Sequence, residues 1–381
     1  MRVRCDRLKL AEAFAVVGSL AAKGHAREAL QCVKLDVTPD GCTLSATNME
    51  TSIRLELDGA TPLEPTPKKT TNGSVLLNVA RVGQIIRETT DEHLQFVEEK
   101  ESGLLLISSR SSEFRLNTID AKEFPASPGW SSEGGYIELP SRWLAEAIKR
   151  TAFATDPDST RFALGGVLFE LDHEDGELRV VGTDGRRLAT VTGKATIVGQ
   201  VNAYNGTIVP TSALPLIAKT LTRAETVKMA VEGNNAVFQV GGTTISTRLV
   251  DGRYPNWRQV IPTRENSAKI AMTAGPFHNV IRQASIVADT ESRSLDFHFQ
   301  PGSLLLTAQT ADLGRSNVQL PIGYDGEPIL MRMDYRFVCD FLKALDASQA
   351  FTLDVQSSTA SALLTTDDGY RYVVMPMALD K

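Results

Sequence analysis

One plan recurs three times along the 381 residues, and a chain that repeats a helix-and-hairpin pattern at a fixed long period cannot fold around one undivided core. Three hairpin signals set the frame: residues 32–49 turning at Asp40-Gly41, 167–185 turning at Asp175-Gly176, and 294–312 turning at Pro301-Gly302. Each alternates apolar and polar residues on both sides of a short breaker, the mark of an antiparallel strand pair. Each second strand then enters a threonine-containing turn, at Thr47, Thr183 and Thr310.

Amphipathic segments keep step with these hairpins. Residues 6–23, 140–153 and 273–289 precede them, 77–92, 209–223 and 331–346 follow them, and a further strand pair ends each set. In the segment from 140, Leu144, Ala147, Ile148 and Thr151 share one helical face while Arg142, Lys149 and Arg150 fall elsewhere. The first helices of successive copies start 134 and 133 residues apart, so one copy fills a third of the chain. Tails at 119–128 and 250–262 close the first two copies, and the stretches at 127–135 and 262–268 are linkers. The expected domains are 1–130, 136–262 and 268–381. Because the order within a copy is helix, strands, helix, strands, each is a doubled helix-plus-sheet unit of the α+β class.

Composition narrows the function class chiefly by exclusion. With 42% hydrophobic and 23% charged residues the chain is globular rather than disordered. Charges in the first ten residues interrupt any signal sequence, and no stretch nears the ~18 apolar residues of a membrane span, so a cytoplasmic protein is expected. Cys5, Cys32, Cys42 and Cys339 have no metal-ligand or disulfide spacing and are expected reduced and buried. The histidines are scattered without catalytic context, and no glycine-rich phosphate loop is present. A nuclease or phosphatase would need converging carboxylates; Asp184 is the tempting one, and its Asp-Gly setting points to a turn. Neither an enzyme nor a cofactor or metal is expected.

The net charge of −6 argues against a nucleic-acid binder until its distribution is counted. The six helical segments hold fourteen basic and ten acidic residues, which leaves the remainder of the chain at −10. Basic helices on acidic sheets would meet duplex DNA through phosphates alone, loosely and without reading sequence.

The stretches TDGRRLA (183–189), LVDGRYPNWRQVIP (249–262) and YVVMPMAL (372–379) resemble the bacterial beta sliding clamp of DNA polymerase III, over the whole length and through all three repeats. The resemblance implies three tandem clamp domains in a head-to-tail homodimeric ring, helices lining it and sheets outside, that encircles duplex DNA and tethers the replicative polymerase. A paralogue serving repair or inhibitor resistance is the alternative. The basic helical residues expected to contact DNA are Lys23, Arg87, Arg142, Lys149, Arg150, Lys219, Arg223 and Arg282. Near Asp312 the chain is poorer in acid than the family pattern, so ring closure is expected to lean on apolar contacts from Phe114, Leu116, Ile286 and Val287, with Arg81 beside them. The resemblance also implies a pocket for linear peptides of the polymerase, clamp loader and repair proteins. Its wall would be Leu164, Thr183, Gly185, Arg186, Arg187, Leu188, Pro255, Val260, Ser361, Met375, Pro376, Met377 and Leu379.

From the residues alone, Met375 and Met377 share a strand face that is either core or open cleft. The chain departs from the family pattern at Arg186, where a histidine is familiar, at Gln259 and Ala378, where basic residues are usual, and in the extension Asp380-Lys381. Peptide preference is therefore expected to differ.

Overall fold

The computed structural model describes residues 1–21, 24–63, 72–99, 103–131, 134–201 and 206–379. The first third runs β1 (Arg2–Asp6), α1 (Arg7–Val17), β2 (Cys32–Thr38), β3 (Gly41–Thr47), β4 (Thr51–Glu56), β5 (Ala60–Pro62), β6 (Gly73–Asn78), α2 (Val79–Glu88), β7 (His93–Glu99), β8 (Leu104–Ser108) and β9 (Glu113–Asn117). The second repeats that order as β10 (Tyr136–Pro140), α3 (Ser141–Thr151), β11 (Gly166–Asp172), β12 (Glu177–Thr183), β13 (Arg187–Lys194), β14 (Thr196–Val198), β15 (Thr207–Pro210), α4 (Leu214–Thr220), β16 (Thr226–Glu232), β17 (Asn235–Val240) and β18 (Thr243–Arg248). The last third lacks one short strand: β19 (Ala268–Thr273), α5 (Ala274–Ala284), β20 (Ser294–Gln300), β21 (Ser303–Thr310), β22 (Gly314–Pro321), β23 (Ile329–Asp334), α6 (Tyr335–Ala344), β24 (Ala350–Val355), β25 (Ala362–Thr365) and β26 (Arg371–Val374).

Every copy shows the same crossing of its halves. The strand before the first helix pairs with the strand after the second (β1 with β7, β10 with β16, β19 with β24). The strand before the second helix pairs with the strand after the first (β6 with β2, β15 with β11, β23 with β20). Neither half can complete its sheet alone, which is why the copy and not the half is the repeating unit.

The hairpin turns lie where the sequence puts them. At Pro301-Gly302, Gln300 pairs Ser303 and Gly302 adopts φ 74°, a left-handed conformation glycine takes without steric cost. The threonine turns share one hydrogen-bond plan in the first two copies. Thr47 Oγ1 donates to Thr51 O and accepts from Met49 N, and Thr183 Oγ1 donates to Arg187 O and accepts from Gly185 N. Asn48 and Asp184 then accept two backbone N–H groups each, so Asp184 does turn work, as expected.

Several helix starts move. Residues 331–334, expected to begin a helix, finish β23: Met331 and Met333 alternate inward and are buried while Arg332 points away. Asp334 then caps α6, its carboxylate accepting Arg336 N at 3.0 Å. Asp6 and Asn78 likewise end a strand and cap α1 and α2, each such cap contributing about 0.5–2 kcal/mol. Val209 and Pro210 belong to β15, which shortens the expected 209–223 helix to α4 between two single turns.

The chain forms two compact units, residues 1–144, 196–203 and 213–249, and residues 145–195, 204–212 and 250–381. The division passes through the middle third because sheets run from one copy into the next. In the first unit nine strands pair in the order β14-β10-β16-β17-β18-β4-β3-β2-β6, the copies meeting at β4 and β18 with Ile53 opposite Ile245. A five-stranded sheet, β5-β1-β7-β8-β9, completes that unit, and α1 packs on both α2 and α4. In the second unit eight strands run β15-β11-β12-β13-β26-β25-β24-β19, the copies meeting at β13 and β26 with Leu188 opposite Val373. A four-stranded sheet, β22-β21-β20-β23, completes it, and α5 packs against α6.

Among the described residues no helix is long and apolar enough to cross a membrane, and no cluster of metal-ligating side chains is found. All four cysteines are free and buried; burial pushes the Cys5 thiol up to about 12 and Cys32, Cys42 and Cys339 to about 11.

Candidate functional site

The expected peptide pocket falls within the second unit, around an apolar surface on which the second copy's tail packs. In the first copy Ile119, Ala121 and Phe124 of the tail pack on Ala29, Cys32 and Leu76. In the second, Val250, Tyr254, Trp257 and Ile261 lie with Ala163, Leu168, Val181, Leu188 and Ile208, and Val373 and Leu363 of the last third join them. Tyr254 donates its hydroxyl to Val181 O at 2.9 Å; burial raises its pKa far above the ordinary phenol value. Trp257 Nε1 donates to Glu170, which also holds Arg258 at 3.0 Å over the indole face.

Of the expected wall, Leu188 lies within this cluster, and Leu164 is buried beside Ala163. Met375 N donates to Arg186 O at 2.9 Å and Met377 N to Arg332 O at 2.8 Å, so the C-terminal segment is tethered beyond β26. Met375 is 44% and Val260 41% exposed, Pro255 is exposed, and Pro376, Met377 and Leu379 are half-buried. Both methionines follow β26, which ends at Val374, so they do not share a strand face as expected: Met375 lies open and Met377 is half-buried in a bridge to Arg332. Ser361 accepts from Arg264 through both its carbonyl and its hydroxyl. Phe162, at 76% exposure the most exposed large apolar side chain among the described residues, precedes Ala163 and was not anticipated, nor were Trp257, Tyr254 and Val373 as members of this cluster. The quoted stretch 249–262 carried the signal: aromatic residues inside a polar, Pro-containing tail need an apolar surface to lie on.

Arg187 requires a correction. Its guanidinium does not face the apolar surface; it donates to Asp184 at 2.9 Å, Asp340 at 2.7 Å and Phe153 O at 2.5 Å, and stacks over the Phe337 ring at 4.4 Å. Burial opposes its charge, but Tyr372, Asp340 and Asp184 around it raise its pKa above the ordinary arginine value. Arg187 is a strut.

Arg150 requires a second one. It is 6% exposed, donates to Glu146 at 2.8 Å and Asp368 at 2.7 Å, and covers the Tyr370 ring at 5.1 Å. Enclosed in this way and held by two carboxylates, Arg150 is not presented on the helix surface as the other basic residues are.

Around these arginines Phe341 stacks on Tyr370 and Tyr372 at 5.2 and 5.3 Å, and Phe153 meets Tyr372 at 5.7 Å. The two buried tyrosine hydroxyls are satisfied by Arg150 O and Phe337 O.

The other expected DNA contacts stay on helical surfaces. Arg87, Arg142, Arg223 and Arg282 are exposed with no carboxylate within ion-pair distance among the described residues. Lys149 lies 3.9 Å from Glu146, and Lys219 Nζ 3.4 Å from Ala15 O. Lys23 and the extension Asp380-Lys381 lie outside the described residues. Over the observed α-helices the charge is more segregated than the sequence segments implied, with eleven basic and four acidic residues, because Asp6, Asp91, Glu92, Asp289, Asp334 and Asp346 fall outside them.

The residues expected at the ring edges lie on or near terminal strands. β9, carrying Phe114 and Leu116, ends the five-stranded sheet, and Arg81 is exposed in the first turn of α2. β22 ends the four-stranded sheet, and the turn after α5 presents Ile286 at 75% exposure with Val287 half-buried, its carbonyl held by Thr310. Unpaired strand edges of this kind template pairing with another chain.

Models of the DNA polymerase III beta subunit match all three thirds: its N-terminal domain at residues 1–128, its central domain at 138–256 and its C-terminal domain at 258–378. The chain is 27% identical to a beta sliding clamp of Caulobacter vibrioides across 99% of itself and 100% of that protein. It is 28% identical to one of Chlamydia muridarum across 81% and 82%. Its fold superposes on the DNA polymerase III subunit beta of Pseudomonas aeruginosa with a TM-score of 0.88 at 22% identity, and on the pol III beta of Caulobacter crescentus with 0.85 at 25%, both over the full length of each chain. The threefold plan, its sheets continued from copy to copy, and family matches to each third in order place this chain in the DNA polymerase III beta subunit family, the beta sliding clamps.

Proposed function

We propose that two copies of this chain close head to tail into a ring around duplex DNA and hold the replicative polymerase on its template. The observation that carries this is the pairing of each copy's sheet with the next, β4 to β18 and β13 to β26. A chain that joins three equivalent copies edge to edge and leaves β9 and β22 terminal builds half of a closed, heterologous assembly. The three copies are the domains 1–130, 136–262 and 268–381.

Arg87, Arg142, Lys149, Lys219, Arg223 and Arg282 supply screened, sequence-independent contacts to phosphate, so retention comes from linkage rather than affinity. The surface around Leu188, Trp257, Met375 and Met377 receives short linear peptides of the polymerase, the clamp loader and repair proteins. The protein acts in the cytoplasm as a non-catalytic tether. Product length in primer extension tests this: adding the protein with a loader should lengthen products per binding event many-fold, and unchanged lengths would contradict it.

A further inference from the structure

The turn at residues 183–187 has two sides. On one, Leu188 enters the apolar surface; on the other, Arg186 and Arg187 line an open cleft of about 730 Å³. Across that cleft stand Arg282 of α5 and Arg336 and Lys343 of α6. The cations are not all neutralised. Arg187 is spent on Asp184 and Asp340, Lys343 lies 3.4 Å from Asp340, and Arg336 lies 2.8 Å from Asp334. Arg186 makes hydrogen bonds only through its backbone, accepting from Met375 N and donating to Asp184, while its charge also acts on Asp334; Arg282 has no carboxylate within ion-pair distance among the described residues. Asp156 is the one lining acid not engaged with a cation.

A second observation reports the local field. His278 lies in the same cleft with Nε2 buried and unpartnered, and its pKa is lowered by burial and by the Arg282 and Lys343 charges. The space suits a peptide segment, since ligand clefts run from roughly 300 to 1,000 Å³, whereas a duplex is far too wide to enter.

We propose that this cleft takes acidic residues flanking the apolar anchors of a partner peptide, with Arg186 and Arg282 as the specificity-determining side chains. The inference rests on the reading that the apolar surface beside it binds such peptides. Arg186 carries a permanent cation, where a histidine in its place would be mostly neutral at pH 7.

The test uses the full-length protein and fluorescein-labelled peptides carrying one glutamine, a leucine and a phenylalanine. Matched versions are extended at either end by three aspartates or three serines. At 50 mM salt one aspartate version should bind at least fivefold tighter than its serine partner, and the ratio should fall toward one in Arg186→Ala, in Arg282→Ala and at 500 mM salt. Arg186→His should keep part of the ratio below pH 6 and lose it at pH 8. Equal binding of aspartate and serine versions overturns the cleft assignment while leaving the apolar pocket standing; no binding of any version overturns the pocket reading instead. Arg282→Ala should also weaken binding of a short DNA duplex, as its place on α5 implies, so the aspartate-to-serine ratio decides; if Arg186→Ala and Arg282→Ala both keep the aspartate preference, the proposal fails.

Discussion

Arg187 Nη1 donates to Asp340 Oδ2 at 2.7 Å, a bond across 153 residues of sequence that joins the start of β13 to the middle of α6. Both side chains are largely shielded, at 10% and 27% exposure, and Asp184 at 12% completes the group. Because β13 also leads into Leu188 and the apolar surface, this pair sets where the second copy's turn stands against the third copy's helix.

Arg187→Ala should cost about 3–5 kcal/mol, since removing one member of a buried ionic group leaves its partners uncompensated. Arg150→Ala should cost less, about 1–2 kcal/mol, because Glu146 and Asp368 are 39% and 50% exposed and regain water. Urea unfolding of both variants followed by tryptophan fluorescence measures the difference; equal losses would contradict the strut reading of Arg187.

Arg142 and Arg150 differ by eight positions in one helix and should differ in kind. Arg142→Ala should flatten the salt dependence of DNA binding by about 0.9 in log–log slope if it meets one phosphate. Arg150→Ala should leave that slope unchanged. Fluorescence anisotropy on a short duplex between 25 and 200 mM salt separates them.

Those two arginines also mark the limit of sequence reading. The threefold period and all three hairpins were legible because alternation and Asp-Gly or Pro-Gly turns are local signals. The strands leading into helices were not: β1, β19 and β23 end on or beside the capping residue, so strand and helix patterns abut without a break, and 331–334 passed for helix. Arg150 and Glu146 are visibly four apart, but Asp368 and Tyr370, which enclose that arginine, are more than 200 residues away. The apolar surface was half legible. Leu188, Met375 and Met377 came with the family resemblance, whereas Trp257 and Val373 count only once strand pairing sets β13 beside β26.

Deleting residues 375–381 should raise the Kd for an anchor peptide at least a hundredfold from a roughly micromolar value, because only a few apolar side chains bind it against the peptide's lost freedom. β26 ends at Val374, so the sheet stays paired and the melting temperature should hardly move. Met377→Asp should act the same way. Calorimetric titration with the peptide checks both, and wild-type affinity in either would place partner recognition elsewhere.

Leu116→Asp on β9, or Ile286→Asp in the turn after α5, should convert dimer to monomer at micromolar concentration, since a carboxylate would be buried without a partner at the proposed seam. Sedimentation velocity gives the mass directly, and two variants that remain dimers would move the seam to other strands.

The encirclement claim is tested most directly by retention on DNA of two topologies. Protein loaded onto nicked circular plasmid should survive gel filtration at 150 mM salt and leave within seconds once one restriction cut makes the plasmid linear. Equal retention on circular and linear DNA would mean that contact and not linkage holds the protein, and would contradict the account.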